Sequence, residues 1–506
     1  MEESSKKPIA FIPTPKEIAS LMVSLITKSK TDSILDPGCG KGIFIECLKE
    51  QNFTNITGVE LNKELYNFCK NKLSQSIIIN NDFLDLSENN KFDVIIGNPP
   101  YTHYNSLPTS MKEKVYSITK TRETDIYYAF IIKAVKLLKD EGELIFIVPY
   151  SFFYNTFAKT VREILAKNGF FELIIDLDEV NLFEGELPET IIFKFKKVKE
   201  KRDTIILKIK TRLAKPARVT EKALESLEKR RENELFSYFI KKFDYKSETW
   251  STFPYIEVSF FNRLSELAFV GVGMVSGYDK AFRLEEKTIK LLNDEEQKRV
   301  FPFVKGENCK GYFIQGCVYY FLLDSSIKSE EELSKKYPNF YSIILSSKEN
   351  MIKRYLPKNR KWFHWQALRN YETYRKRLDA PKIFVPTLDR SKINRFSLTY
   401  EKFFPSGDVI TIIPYKDVDP FFLLGYLNSD FFRRYYFSYG GKRGNRVSYT
   451  QRLLSNAKIP KFSEKIRKII SSESKKIFNQ KSFQDCREKI EKTILKSFEE
   501  NLFDSV

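Results

Sequence analysis

Histidine is nearly missing from this chain of 506 residues, with only His103 and His364 present. The six cysteines (Cys39, Cys47, Cys69, Cys309, Cys317 and Cys486) are scattered and show no Cys-x-x-Cys spacing. Structural zinc needs clustered Cys and His, and disulfide scaffolds need paired cysteines. Neither is expected, no metal ligands are assigned, and a reducing interior fits. No apolar run approaches the ~20 residues of a membrane span, and MEESSKKPIAF lacks the apolar core of a signal peptide. The expectation is a cytoplasmic protein without membrane contact. The GxxxxGK[ST] phosphate loop is also missing, which disfavours a nucleotide triphosphate. Neither an internal repeat nor a low-complexity tract occurs.

What is abundant is positive charge and aromatic surface. Lys+Arg number 85 against 66 Asp+Glu, a formal +19, with 15% aromatic residues. Cationic groups interleaved with rings suit a nucleic-acid partner, while a lysine-rich surface kept for solubility is the alternative. Hydrophobic content of 42% and charged content of 30% describe a globular chain, and its length suits two or three domains.

From about residue 8 to 210, apolar strands alternate with helices. SILDPGCGKGIF (33–44), NITGVELN (55–62), SIIINNDFLDL (76–86) and KFDVIIGNPPY (91–101) each contain a strand and its exit. ELYNFCKNKL (64–73) and DIYYAFIIKAVKLLKDEG (125–142) have helical spacing, the second stopped by Gly142. ELIFIVP (143–149), FFELIIDLDEV (170–180) and ETIIFKFKKV (189–198) supply further strands. This rhythm predicts an α/β fold with a mostly parallel, Rossmann-like sheet over 1–215. A charged helical connector is expected over 216–246, an α+β domain over 247–460 and a helical tail over 461–506.

LDPGCGKG (35–42) ends the first strand, and its Gly38, Gly40 and Gly42 let the backbone pass close to a ligand. Glu60, at the end of the second strand, is placed to accept both ribose hydroxyls. Asp82 and Phe83 end the third, offering an acceptor for an adenine amine and a ring for its face. The glycine spacing is GxGxG, not the GxGxxG of dinucleotide folds. This order of strands and exits resembles the S-adenosylmethionine-dependent methyltransferases.

The fourth strand runs into Asn98-Pro99-Pro100-Tyr101. An exocyclic amine such as adenine N6 is a poor nucleophile, because its lone pair is delocalised into the ring. Two acceptors beside the amine hydrogens localise that pair for in-line attack on a sulfonium methyl. Asn98 offers its side-chain oxygen, Pro99 a backbone oxygen in a stretch locked by the proline pair, and Tyr101 a flat face for the base. Such catalysis is mostly positioning.

These motifs resemble the N6-adenine DNA methyltransferases of the TaqI/Eco57I-like (gamma) group of type II restriction-modification, nearly to residue 460. The resemblance implies S-adenosylmethionine as cofactor, held by Thr14, Asp36, Gly38, Cys39, Gly40, Glu60, Asp82, Phe83 and Pro100. Thr14 comes from FIPTPKEIASLMVSL (11–25), which is similar to the family's opening motif. Phe183, in NLFEGELPETIIFKF, falls where the family places an aromatic against the second face of an extruded adenine. Flipping is implied because a duplex hides N6.

A target-recognition domain follows in such enzymes. AFVGVGMVSGYDKAFRL (268–284) is similar to its entry. LPKNRKWFHWQALRNYETYRKRLDAPKIFVPTLDR (356–390) and FRRYYFSYGGKRGNRVSYTQRLL (432–454) suit phosphate contacts and groove insertion. Arg360, Lys361, Trp362, Lys442, Arg443 and Arg446 are the candidate DNA contacts. His364 is expected to pack between Trp362 and Trp365, and His103 is a candidate pocket residue. The implied partners are double-stranded DNA, bound as a monomer, and a separately encoded restriction endonuclease. Methylation of protein or RNA adenine, a fused nuclease, and a DNA-binding protein with a non-catalytic methyltransferase fold are the alternative readings.

Overall fold

Ile34–Asp36 and Ile56–Glu60 are apolar runs too short for helices and buried along their whole length, as strands covered on both faces must be. The computed structural model describes residues 13–73, 76–178, 180, 189–211, 213–253, 261–443, 446–479 and 483–499. The chain divides into two units, Met1–Pro254 and Tyr255–Val506.

In the first unit, strands β1 (Ile34–Asp36), β2 (Ile56–Glu60), β3 (Ile77–Asn80), β4 (Phe92–Gly97), β5 (Leu138–Pro149), β6 (Phe170–Asp176), β7 (Thr190–Lys196), β8 (Thr204–Ile209) and β9 (Phe236–Lys241) form one sheet. Its order is β3-β2-β1-β4-β5-β7-β6-β8-β9. The β3-β2-β1-β4-β5 stretch and the β6-β8 pair are parallel, and β7 and β9 run antiparallel to their neighbours. The fold is α/β with a large, mostly parallel sheet.

Period-2 alternation sorts the strand side chains between two cores. Leu35, Ile95, Leu144 and Phe146 face α5 (Ile126–Leu137) and α6 (Lys159–Asn168), with α4 (Thr109–Thr119) beside them. Ile34, Val94, Ile96 and Ile145 face α1 (Lys16–Ser24), α2 (Ile43–Glu50) and α7 (Pro216–Lys229), together with Cys69 of α3 (Lys63–Lys72).

Two expectations are corrected. The helix over 125–142 ends at Leu137, because Leu138 already pairs with Phe92 and Glu143 with Val94. Lys139–Gly142 bulge between those pairs, with Glu141 at φ +60°. The connector over 216–246 is helical only as α7; its second half is β9, paired along six residues with β8. That segment therefore completes the sheet of the first unit.

The second unit is α+β without βαβ rhythm. One sheet joins Ala268–Val272, Val409–Pro414, Lys382–Pro386, Ser397–Thr399 and Tyr312–Phe313, and another is built around Val300–Val304 and Val318–Phe321. Helices Glu464–Phe478 and Phe483–Glu499, from the expected tail, pack within this unit, where Phe498 stacks on Phe431 at 4.6 Å. Among the described residues, no helix is long and apolar enough to cross a membrane.

Candidate active site

The crossovers run outward from β1 to β3 and then return to β4, so the carboxyl ends of β1 and β4 flank the point where strand order reverses. Ligands of open α/β sheets bind in that crevice. Two glycines make it possible here. Gly97 closes β4 against β1: a Cβ there would lie 3.0 Å from Asp36 Oδ1 and 3.2 Å from Pro37 Cδ. Gly42 leads into α2 at φ +82°, and its missing side chain leaves room for Leu73 Cδ1 and Cys69 Sγ.

Three carboxylates surround the crevice. Glu60 Oε2 accepts the Gly40 N–H at 2.9 Å and Oε1 the Asn62 N–H at 2.7 Å. These bonds tie the glycine loop to β2 and leave lone pairs on both oxygens. Asp82 Oδ1 accepts the Leu84 N–H at 2.9 Å, starting the short turn Phe83–Asp85, and Oδ2 pairs with Lys114 Nζ at 2.7 Å. Asp36 is fully buried, and its Oδ2 has no hydrogen-bond partner among the described residues. Burial pushes its carboxyl well above the ordinary range, against a weak 3.5 Å bond from the Gly38 N–H.

Beyond β4, Asn98 is held on both sides. Its Nδ2 donates to Thr14 Oγ1 at 3.1 Å, and its Oδ1 accepts from the Tyr101 hydroxyl at 2.5 Å. The Tyr101 hydroxyl also lies 2.9 Å from the Ile147 carbonyl of β5, and burial raises its pKa. The Tyr101 ring is half-buried and meets Tyr127 edge-on at 5.9 Å. The next residues pair with the segment leading into α5: Tyr104 N–H donates to the Thr124 carbonyl and Ile126 N–H to the Thr102 carbonyl.

A cavity of about 710 Å³ brings together Thr14, Gly38, Cys39, Glu60, Asp82, Phe83, Asn98, Pro99 and Pro100 from the sequence expectation. Asp36, Gly40 and Tyr101 are not in its lining but contact or adjoin residues that are. Phe183 lies outside the described residues. Sequence reasoning missed Lys114, whose Nζ reaches Asp82 across 32 positions, and no local motif marks it. It also missed Phe130, 4.9 Å from Phe83. Ile126 and Phe130, four apart on α5 and both lining the cavity, were a signal that was available.

His103 does not line the cavity; it is exposed and accepts the Asn105 N–H on Nδ1. His364 is buried beside Phe363, accepts the Lys361 N–H on Nδ1 and lies 2.8 Å from the Ile327 carbonyl through Nε2. Burial lowers its pKa. Among the described residues, no cluster of three or more His, Cys, Asp or Glu could hold a metal.

In the second unit, Lys361 and Arg446 are exposed and Arg360 is half-buried. Trp362 is half-buried and donates its indole N–H to Glu330 at 3.0 Å. Lys442–Arg443 pairs antiparallel with Arg446–Ser448, which pairs in turn with Leu388–Asp389.

The family described as Eco57I restriction-modification methylase matches residues 14–183. The type II methyltransferase M.MjaIV of Methanocaldococcus jannaschii is 48% identical over 260 residues, which is 50% of this chain and 87% of that relative. Type II methyltransferase M.HindII of Haemophilus influenzae is 30% identical over 495 residues, covering 90% of each chain. Among solved structures, the type IIL restriction-modification enzyme MmeI in complex with DNA is similar with a TM-score of 0.57 and 13% identity. That match covers 97% of this chain and 73% of the other, and it concerns the fold alone.

Proposed function

The chain belongs to the type II methyltransferases of restriction-modification systems, and from that premise we propose that it methylates N6 of a specific, flipped-out adenine in duplex DNA. The observation that carries this reading is one cavity shared by Asn98, Pro99 and Pro100 with Gly38, Glu60, Asp82 and Phe83. A nucleoside-bearing donor and an amine acceptor belong in the same space.

S-adenosylmethionine fits the residues present. Glu60 has lone pairs for ribose hydroxyls, Phe83 and Asp82 suit an adenine ring and its amine, and Gly38 gives close backbone approach. The buried, unpartnered Asp36 Oδ2 favours a ligand with a cationic or hydrogen-donating group nearby. Thr14, Cys39, Gly40 and Pro100 complete the cradle. When bound, this donor supplies a methyl group on a positively charged sulfur. Asn98 Oδ1 and the Pro99 carbonyl accept the two N6 hydrogens, localise the nitrogen lone pair and aim it. The surplus proton leaves the nitrogen after transfer, so no general base is assigned.

The Tyr101 ring stacks on one face of the base and Phe183 on the other. Their stacking offsets the few kcal/mol of unpairing and unstacking that flipping costs. The second unit recognises the site, with Arg360, Lys361, Trp362, Lys442, Arg443 and Arg446 among its DNA contacts. The chain acts as a cytoplasmic monomer that protects host DNA from a separately encoded endonuclease.

The test is direct. The purified chain, labelled donor and unmethylated genomic duplex are incubated, and the DNA is digested to nucleosides. Labelled N6-methyladenine is expected. Label only on cytosine, or on no base, overturns the proposal.

A further inference from the structure

A carboxylate that is to receive an amine must be ionised and pointed, because only its lone pairs accept and either oxygen can swing away. Asp82 is held at both oxygens. Oδ1 accepts the Leu84 N–H at 2.9 Å, a bond within its own turn, and Oδ2 pairs at 2.7 Å with Lys114 Nζ of α4. Each oxygen keeps a lone pair for a ligand. Among the described residues, Lys114 is the one cation bonded to Asp82.

Lys114 is itself fixed. Its ammonium also bonds Asp85 Oδ2, so it bridges two carboxylates. Burial works against the charge, but the Asp82 and Asp85 hydrogen bonds outweigh it and raise the Lys114 pKa. α4 is seated by the fully buried Val115 and by Met111, which lines the cavity one turn before Lys114. The Lys114 side chain is 34% exposed, and an ion pair so exposed adds little to stability. Its consequence lies in what Asp82 will accept. An ionised carboxylate matches the amine at C6 of adenine and opposes the keto oxygen that a 6-oxopurine carries at the same place. A turned or protonated Asp82 would lose that distinction, since a carboxylic acid also donates.

We infer that Lys114 is a positioning residue that aims Asp82 and sets the preference of the donor site for a 6-aminopurine. The inference rests on the reading of Asp82 as the partner of the donor's adenine amine. It goes beyond that reading by placing the selectivity in α4, outside the strand exits that carry the motifs. A Lys114 that merely propped the cavity wall would change the affinity of every donor base alike.

The test uses the full chain and its K114M and K114R variants, titrated with S-adenosylhomocysteine and with S-inosylhomocysteine, its 6-oxo counterpart. The wild type is expected to bind the adenosyl ligand at least about tenfold more tightly, the scale of a hydrogen bond to a charged group. K114M should bind it about tenfold more weakly while its Kd for the inosyl ligand stays within about threefold, so the preference collapses. K114R, which restores a cation, should recover the preference to within about threefold. In methylation of genomic duplex, the K114M loss should fall on the donor KM and be made up at saturating donor. Should K114M melt early, K114A removes the same ammonium without added bulk and carries the same expectation. The inference is overturned if K114M keeps the wild-type preference, if both ligands weaken by one factor, if K114R is no better than K114M, or if the loss lies in kcat alone. A wild type that binds both ligands equally overturns the reading of Asp82, and one that methylates no DNA overturns the reading of the whole site. Both results are distinct from a selective enzyme indifferent to Lys114.

Discussion

Asp36 puts a carboxyl where water does not reach and leaves one oxygen unpaired among the described residues, an arrangement that costs stability unless a ligand compensates it. Its folded pKa lies well above the unfolded value of about 3.8, raised chiefly by burial. The stability it contributes is therefore fully present below that unfolded value and is lost as pH rises through the folded one. Asp36→Asn keeps the shape and removes the ionisable group. At pH 7 the ligand-free variant is expected to melt higher than the wild type, while the increase in Tm on adding S-adenosylhomocysteine shrinks. A variant that melts lower and gains as much from ligand contradicts the assignment of Asp36 to the donor site. Asn98 obeys the opposite logic on the proposed reading, because Thr14 and Tyr101 already bond its amide and its role is in the reaction. Asn98→Ala should abolish methyl transfer while duplex affinity stays within a few-fold. Nucleoside analysis and a binding titration on the same preparation check both halves, and unchanged transfer removes the role given to the amide.

The strands that present these residues are fastened at the opposite end of the sheet. Asp93 Oδ2, on β4, accepts from the Ser33 N–H at 2.9 Å and hydroxyl at 2.6 Å just before β1, and pairs with Lys139 at 2.7 Å. Burial works against the charged form, but the Lys139 and Ser33 hydrogen bonds outweigh it and hold the carboxyl at about 2. A fall from about 3.8 to about 2 corresponds to about 2 kcal/mol, present above pH 4 and lost as pH drops toward 2. Asp93→Asn should flatten acid unfolding of the first unit between pH 4 and 2, followed by circular dichroism; an unchanged acid limb rules out this clasp. Elements of this kind were legible in the sequence when their signals were local. The β1 and β4 runs end in a glycine loop and Asn-Pro-Pro, and Glu60 and Asp82-Phe83 mark the exits of β2 and β3. What escaped reading depends on partners distant in sequence. Phe236–Lys241 is charged at its margins and becomes a strand only because β8 offers it an edge. Leu138 leaves its helix because Phe92 pairs with it. Lys114 joins the site only once α4 is folded beside Asp82. Trp362, a candidate DNA contact, has its indole N–H taken by Glu330, 32 positions away.

Across the whole molecule, a formal charge of +19 works against compactness and in favour of polyanions. On the proposed reading, that charge is partly neutralised by DNA phosphates, whose condensed counterions are released on binding. Released ions make affinity fall linearly on a double-logarithmic salt plot, by about 0.9 per phosphate contact. For six or more contacts, the duplex Kd should rise by about 10³ or more between 50 and 200 mM salt. Surface charge in general and phosphate-contacting charge in particular separate under substitution. Lys361 and Arg446 are exposed and have no carboxylate partner among the described residues, whereas Lys335 pairs with Glu331 at 2.7 Å, one turn away on its helix. Lys361→Gln and Arg446→Gln should each reduce the salt slope by about 1 and weaken all sequences alike, because a phosphate contact carries no base information. Lys335→Gln should leave the slope unchanged, its charge being already answered within the protein. Fluorescence anisotropy over a salt series measures all three. A flat wild-type response defeats the electrostatic account, and equal losses from all three substitutions would replace defined contacts with diffuse attraction to the net charge.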